Sequence, residues 1–407
     1  MQRTITLAPL LERRESLRPV GFVLAGLAVG GLAWIVGLTA AAGLFPLVWL
    51  LAKTRKEAAL AAFSYYLIGS WTIPGAAGAF FGPSYTVNLG LGLWLLSSAV
   101  LSVPWVVARR SFLGLILALL LVSLPPIGLI GWLNPVLSAG DLFPGAGFAG
   151  MAALLCLWAA FSRPSLPKRR QALAVVTVAA MSVLCNATYS PRPVPSTWKA
   201  VNTQLGKFPT NLMEAVDRQI KVIDVAQRAL NSGAQLVLLP EQVTGWFDDS
   251  MLSVWTREFA HFPWRNRQML LVGAERPITP GGKEYRNALG AWIQGDFLGY
   301  VSARQTVPVS MWKPWDRTNE RAPADWFKLN MMPVPLGSET KLVATVFCFE
   351  ELLVFPLFST LALESPYAIL SVVNGWWASP DEHRLQRQHI EAWAKLFNLP
   401  LLRAVNQ

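Results

Sequence analysis

Apolar positions follow two different rules along this chain, and the change falls near residue 190. Before it, apolar residues run on almost without interruption in seven segments, at about 19–37, 38–52, 58–73, 86–108, 111–133, 146–162 and 171–188. Such runs predict helices that cross a bilayer, although several are short for a span of about 20 residues. The first two join with no charged break, so they form either a tight hairpin or one long helix. After Pro191-Arg-Pro-Val-Pro-Ser196, a stiff stretch incompatible with helix, the pattern changes to short apolar runs separated by amphipathic ones. Strands are predicted at 198–205, 236–239, 269–273, 287–293, 297–301, 342–347, 368–373 and 401–405. Helices are predicted at 212–231 and 380–398, and directly after Cys348. The runs 287–293 and 297–301 pair around Gln294-Gly295-Asp296. Strands alternating with helices indicate a layered α/β domain.

Composition agrees with this division. Of 407 residues, 53% are hydrophobic and 14% charged, and the mean hydropathy is +0.39, values that place the chain in a membrane. A signal peptide is the alternative for the first segment, because Thr39-Ala-Ala-Ala-Gly43 offers small residues near its end. Residues 1–190 carry 13 Lys/Arg against 4 Asp/Glu, and residues 191–407 carry 22 against 20. The basic excess therefore belongs to the membrane half, and direct nucleic-acid binding is not its reading.

The excess is also ordered. Arg13, Arg14 and Arg18 precede the first segment; Lys53, Arg55 and Lys56 follow the second; Arg109 and Arg110 follow the fourth; Arg163, Lys168, Arg169 and Arg170 follow the sixth. The alternate loops hold only Asp141. The positive-inside rule then puts the N-terminus in the cytoplasm, and seven crossings deliver everything after about residue 190 to the other side, the periplasm of a bacterium. Two domains are expected: a transmembrane domain over 1–190 and a periplasmic domain over 191–407.

Cys156 and Cys185 fall in predicted spans, which leaves Cys348 without a disulfide partner in an oxidising compartment. It stands where the strand-like run Lys341-Leu-Val-Ala-Thr-Val-Phe347 gives way to the helix-like run Phe349-Glu-Glu-Leu-Leu-Val-Phe355. A thiol at such a turn is held out of the sheet beside backbone N–H groups that favour thiolate and oxyanion. The alternative is a small apolar residue filling a core. Upstream, Ala234-Gln-Leu-Val-Leu-Leu-Pro-Glu241 places a carboxylate at a second strand end, where it is either a solvated loop charge or the acceptor of a thiol proton in a shared cleft. His261, His383 and His389 are scattered, with surface or packing roles, and no phosphate loop or metal-ligand cluster occurs, so neither cofactor nor metal is expected. Trp246, Phe247, Trp255, Phe259, Phe262 and Trp264 form either a lid dipping into lipid or a core-facing helix.

The order Pro240-Glu241, a reversal near Pro308, Cys348-Phe-Glu350, Asn374-Gly-Trp376-Trp377 and Leu401-Leu-Arg403-Ala404 resembles the nitrilase (carbon-nitrogen hydrolase) superfamily. With a basic-looped membrane bundle ahead of it, the chain is similar to bacterial apolipoprotein N-acyltransferase. Ser302-Ala-Arg304-Gln-Thr-Val-Pro308-Val-Ser-Met-Trp312 narrows the resemblance to TraB-type conjugal-transfer proteins. It implies a multi-pass α-helical membrane domain followed by a nitrilase-like αββα sandwich, in the bacterial inner membrane. It also implies a Glu-Lys-Cys triad, with Glu241 as general base, Cys348 as the nucleophile that forms a thioester, and Glu350 as a supporting glutamate. The family lysine falls on Ala303, next to Arg304, which is the candidate oxyanion donor in its place, ahead of Lys313; a planar guanidinium does not substitute freely for a lysine point charge. The glutamate that the acyltransferases carry after the proline falls on Met311, and their histidine before the last helix is absent. Those proteins continue beyond the Leu-Leu-Arg-Ala strand, so the sandwich here is either reduced or completed by a partner.

The activity implied by the resemblance is Cys-dependent acyl transfer or amide hydrolysis, with a phospholipid or other acyl donor and an amine acceptor. The alternative is a scaffold of the conjugation machinery that keeps the fold without the chemistry, in contact with other conjugation proteins. A transporter is disfavoured, because the predicted spans contain almost no ionisable residues.

Overall fold

A computed structural model describes residues 8–163, 165–265, 267–316 and 318–407, with side chains from Leu17 onward. The side chains of Arg13 and Arg14, which entered the orientation argument, lie outside the described residues. Contacts divide the chain into two compact units: one runs to Tyr189 and includes Lys395–Phe397, and the other comprises Ser190–Ala394 and Asn398–Gln407.

The first unit is helical. Three of its helices are long and apolar enough to cross a membrane, Leu17–Ile35, Thr86–Val107 and Lys168–Thr188, and a fourth is available if the pair Pro135–Leu142 and Gly147–Phe161, bent by 118°, counts as one span. Seven segments of spanning length are therefore not present among the described residues. Thr39–Leu50 and Phe112–Ser123 are short apolar helices. At 1.5 Å per residue, twelve residues reach only about 18 Å of a hydrocarbon core near 30 Å. Pro125 and Pro126 explain why the run from 111 to 133 breaks after Ser123. The unit's core is aromatic: Phe45, Trp49, Tyr65, Tyr66 and Trp105 are fully buried. Their polar atoms are paired, Trp105 Nε1 donating to Tyr66 Oη at 3.0 Å and Tyr65 Oη to the Leu133 carbonyl at 2.9 Å, as burial requires. Helix Lys168–Thr188 has no buried residue.

The second unit is built on two sheets. In the first, β1 (Trp198–Ala200), β2 (Leu236–Leu238), β3 (Met269–Pro277), β4 (Tyr285–Ile293) and β5 (Asp296–Ser302) lie in chain order. The first three are parallel and the rest antiparallel. In the second, β6 (Met331–Leu336), β7 (Glu339–Phe347), β8 (Ile369–Asn374) and β9 (Leu401–Asn406) are also in chain order, with β7, β8 and β9 parallel. The strand period of two decides the layers. Leu236 and Leu238 pack with Phe347, Val372 and Ala404 into a core between the sheets. Val237 and Leu239 point the other way and pack with Val222, Ala226 and Leu230 of helix Leu212–Asn231 and with Trp255 and Phe259 of helix Asp249–Ala260. Helices Phe355–Leu363 and Pro380–Phe397 belong to the second sheet's side and meet through Phe358 and Trp393. The arrangement is helix, sheet, sheet, helix.

Local chemistry explains several boundaries. Asn211 Oδ1 caps the 212–231 helix by accepting from the Met213 and Glu214 N–H groups, and Asp248 caps 249–260 through the Met251 N–H. Gln294 and Gly295, both at positive φ, turn β4 into β5. Strand β6 was not expected from the sequence, because Pro333 and Pro335 interrupt it. Its place at the sheet edge tolerates prolines that a central strand would not. Most of the aromatic run after Glu241 resolves as core: Phe247, Trp255 and Phe259 are buried, and Phe262 and Trp264 pack against them, while Trp246 is half-buried with its ring against Tyr285. Trp255→Ala is expected to destabilise the second unit by about 3–5 kcal/mol, whereas Leu212→Ala, on an exposed position, should change it by less than about 0.5 kcal/mol. Thermal unfolding of the two variants in detergent checks the contrast.

Candidate active site

Glu241 ends the segment that leaves β2, and Cys348 opens a tight turn, Cys348–Leu352, that leaves β7. The two come from different sheets and lie close enough to act on each other: the Glu241 charge raises the Cys348 thiol, and the thiol pulls the Glu241 carboxyl down. Each is only 4% exposed. Gly273 on β3 lets the Pro240-Glu241 segment lie against that strand, because a Cβ there would lie 2.2 Å from the Pro240 carbonyl and 2.6 Å from Glu241 Cα. Gln242, next in the chain, is held at a φ of +50°, a left-handed conformation that a non-glycine residue adopts at some cost.

The carboxyl is held from two further directions. Asn287 Nδ2 on β4 donates to Oε1 at 2.5 Å, and the Asn374 backbone N–H at the end of β8 donates to Oε2 at 3.0 Å. Burial nevertheless outweighs these bonds and pushes the Glu241 pKa up to about 8. Burial also raises the Cys348 thiol, helped by the charges of Glu241 and Glu351, and Gln386 Nε2 donates to its sulfur at 3.4 Å. At neutral pH the pair is therefore a protonated acid beside a thiol.

Two glutamates follow the thiol and tie its turn in opposite directions. Glu350 accepts from the N–H groups of Phe347, Arg304 and Gln305, at 3.1, 2.5 and 2.9 Å, joining the end of β7 to the segment after β5. Burial raises it to about 7. Glu351 is fully buried and takes a two-pronged ion pair from Arg403 on β9, at 2.7 and 2.8 Å, with Ser371 Oγ on β8 donating at 2.5 Å.

Arg304 lies elsewhere from where the oxyanion role needs it. Its guanidinium donates to the Pro356 carbonyl at 2.7 Å, to Ser359 Oγ at 2.8 Å and to the Trp326 carbonyl, and it stacks over Phe355. Three of its five N–H groups thus anchor the 355–363 helix and the 326 loop, and only its backbone N–H joins the Glu350 cluster. Ala303, at the position of the family lysine, is buried in the apolar core between the sheets. Lys313 lines another cavity, with Trp312 and Trp326. His261 is on the surface, His389 is fully buried and His383 is half-buried.

Three contact residues were not singled out from the sequence. Asn374 stood within a quoted motif, but its backbone makes the contact. Asn287 opened a predicted strand. Gln386 had a readable signal: it precedes Ile390 and Trp393 at helical spacing on the buried face of the 380–397 helix, where an amide needs a partner. Gly375, Trp376, His383, Arg384, Arg387 and Arg403 help line a cavity of about 640 Å³ that is bordered by neither Glu241 nor Cys348.

No family model matches the chain. It is 29% identical over 409 residues to a probable conjugal transfer protein TraB of Sinorhizobium fredii, an alignment that covers 97% of this chain and 100% of that one. To the conjugal transfer protein TraB of Agrobacterium fabrum it is 27% identical over 412 residues, covering 97% and 94%. The chain is TraB-like along nearly its whole length. Among solved structures, a mutant amidase of the nitrilase superfamily from Nesterenkonia AN1 aligns with 51% of this TraB-like chain and 74% of its own, at 14% identity and a TM-score of 0.38. A second mutant of the amidase from Nesterenkonia sp. AN1, with the acetamide moiety of fluoroacetamide added covalently at its active-site cysteine, aligns with 54% and 79% at 14% identity and a TM-score of 0.38.

The raised carboxyls predict how stability depends on pH. An unfolded glutamate loses its proton near 4.5, whereas folded Glu241 keeps it to about 8 and Glu275 and Glu350 to about 7. Between those values the folded chain holds more protons, so stability falls as pH rises from about 4.5 to 8. Thermal midpoints measured from pH 5 to 8.5 should decline, and Glu241→Gln should flatten the decline above pH 7.

Proposed function

We propose that this TraB-like protein is a membrane-bound cysteine acyltransferase or amidase that serves conjugal transfer. The observation that carries the reading is the proximity of Glu241 and Cys348, two buried side chains from different sheets that shift each other's pKa, one held by the Asn374 N–H and the other by Gln386. Glu241, in its ionised form, takes the thiol proton as Sγ bonds to the acyl carbonyl carbon. The tetrahedral adduct collapses to a thioester as the leaving group departs with the proton returned by Glu241. An amine or water then attacks the thioester and gives its proton to Glu241, and the sulfur leaves and is reprotonated. A pKa near 8 suits a group that must both accept and return a proton close to neutral pH. Gln386 Nε2 and the Asn374 N–H are the donors nearest the sulfur and replace Arg304 as candidates to stabilise charge there. Glu350 acts as a positioning residue, since it fixes the turn that carries the thiol.

The donor in this reading is a phospholipid or related acyl compound and the acceptor an amine. In this reading the apolar helices anchor the chain in the bacterial inner membrane, and its three helices of spanning length, starting from a cytoplasmic N-terminus, carry the second unit to the periplasm. Helix Lys168–Thr188, apolar and with no buried residue, supports the membrane assignment, since such a surface is unfavourable in water. One observation favours the scaffold reading: no hydrogen bond joins a cationic side chain to Glu241 or Cys348 among the described residues.

The two readings separate in one experiment. Membranes containing the protein are incubated with a phospholipid bearing an alkyne-tagged acyl chain, and the tagged protein is treated with neutral hydroxylamine. The enzyme reading expects a hydroxylamine-labile adduct, its loss in Cys348→Ala, and a fall in plasmid transfer of at least about a hundredfold in that variant. No adduct, together with transfer at the unsubstituted frequency in Cys348→Ala, leaves the scaffold.

A further inference from the structure

The cavity bordered by the Gly375-Trp376 turn and the 380–397 helix has a lining that the acyl step does not call for. Arg384 and Arg387 border it from the 380–397 helix and Arg403 from β9, with His383 and the Gly375-Trp376 turn completing that side; no Asp or Glu side chain lines it. Each arginine does meet a carboxylate, Asp381, Glu391 and Glu351 respectively, but those acids lie outside the lining. Arg403 uses Nε and Nη2 on Glu351, which leaves Nη1 for another acceptor. The His383 ring packs on Gly375 so closely that a Cβ there would fall 2.1 Å from Cε1. Pro380, at the N-terminus of an 18-residue helix, also borders the space, and the positive end of that dipole favours an anion.

Three guanidinium groups from two elements suit a tetrahedral oxyanion better than a planar carboxylate, which a single guanidinium fork already satisfies. The position matters as well. Gln386, between Arg384 and Arg387 in sequence, touches the sulfur. Asn374, whose N–H holds Glu241, precedes the lining turn, and Arg403 interacts electrostatically with Cys348.

We infer that this cavity binds the phosphate group of a phosphate ester and holds a substrate by that group while its acyl carbonyl faces Cys348. The second half of the inference rests on the acyl-transfer reading; the binding does not. The phosphate belongs either to a lipid headgroup or to a soluble ester.

The test uses the full chain in detergent with Cys348→Ala, so that no chemistry contributes, and measures binding by calorimetry. The probes are glycerol 3-phosphate, glycerol as its uncharged counterpart, and dihexanoylphosphatidylglycerol below its micelle concentration. Saturable binding is expected for at least one phosphate-bearing probe and not for glycerol. The double variant Arg384→Gln/Arg387→Gln should weaken it by roughly tenfold or more. Its ion pairs are partly exposed, so its thermal midpoint without ligand should stay unchanged. Lys221→Gln, on an exposed position of the 212–231 helix, should bind as the parent does. Tighter binding of the lipid assigns the phosphate to a headgroup, and tighter binding of glycerol 3-phosphate assigns it to a soluble ester. No saturable binding of either by folded protein, or binding indifferent to the double variant, overturns the inference. That failure would leave the hydroxylamine result untouched, and a missing thioester would leave the binding result untouched.

Discussion

The second unit depends on one constraint: the ends of β2 and β7 must come close enough for a buried carboxyl and a buried thiol to act on each other. Neither residue can arrange this alone, because 106 positions separate Glu241 from Cys348 in the chain. Sheet packing does it. The apolar residues that β2 and β7 send into the common core fix the distance between their ends, and Gly273 lets the Glu241 segment lie close against β3. Burial then sets the chemistry. With water excluded, both groups resist ionisation, and the resting pair is neutral.

The turn that carries the thiol is fixed just as firmly. Glu350 gathers three backbone N–H groups on one side, and Glu351 reaches Arg403 and Ser371 on the other. Consecutive carboxylates thus bind the turn to β5's exit and to β8 and β9. Removing Arg403 would leave Glu351 buried without its cation, a change that typically costs about 3–5 kcal/mol. Arg304 does comparable work at a distance from the sulfur, tying a helix and a loop together through carbonyls. Its bulk and charge serve the architecture, and the donors left around the sulfur are neutral amides.

Much of this was legible in the sequence, for stated reasons. The helix at 212–231 was plain because its apolar period and its Asn211 cap agree. The hairpin at 287–301 was plain because a Gln-Gly-Asp turn separates two alternating runs. Cys348 and Glu241 were visible because each ends a buried-looking strand. What the sequence hid depends on tertiary context. Edge position alone permits β6 its two prolines, and contacts across sheets alone make partners of Asn287 and Gln386. The partners of Arg304, the Pro356 and Trp326 carbonyls and Ser359, were hidden because adjacency to the missing lysine's position says nothing about which way a long side chain runs. The apolar segments were overcounted because hydropathy does not register the breaks that shorten Thr39–Leu50 and Phe112–Ser123.

The account's central claim is that Glu241 acts on Cys348. The most direct measurement is the rate of Cys348 alkylation by iodoacetamide as a function of pH, followed by intact-mass spectrometry in a Cys156→Ser/Cys185→Ser background, with and without Glu241→Gln. The account predicts that the parent's rate rises through about pH 8, where Glu241 becomes able to take the proton, and that Glu241→Gln slows it about a hundredfold or more near that pH. Equal rates in the two proteins across the range would show that the carboxyl does not act on the sulfur, and would contradict the account.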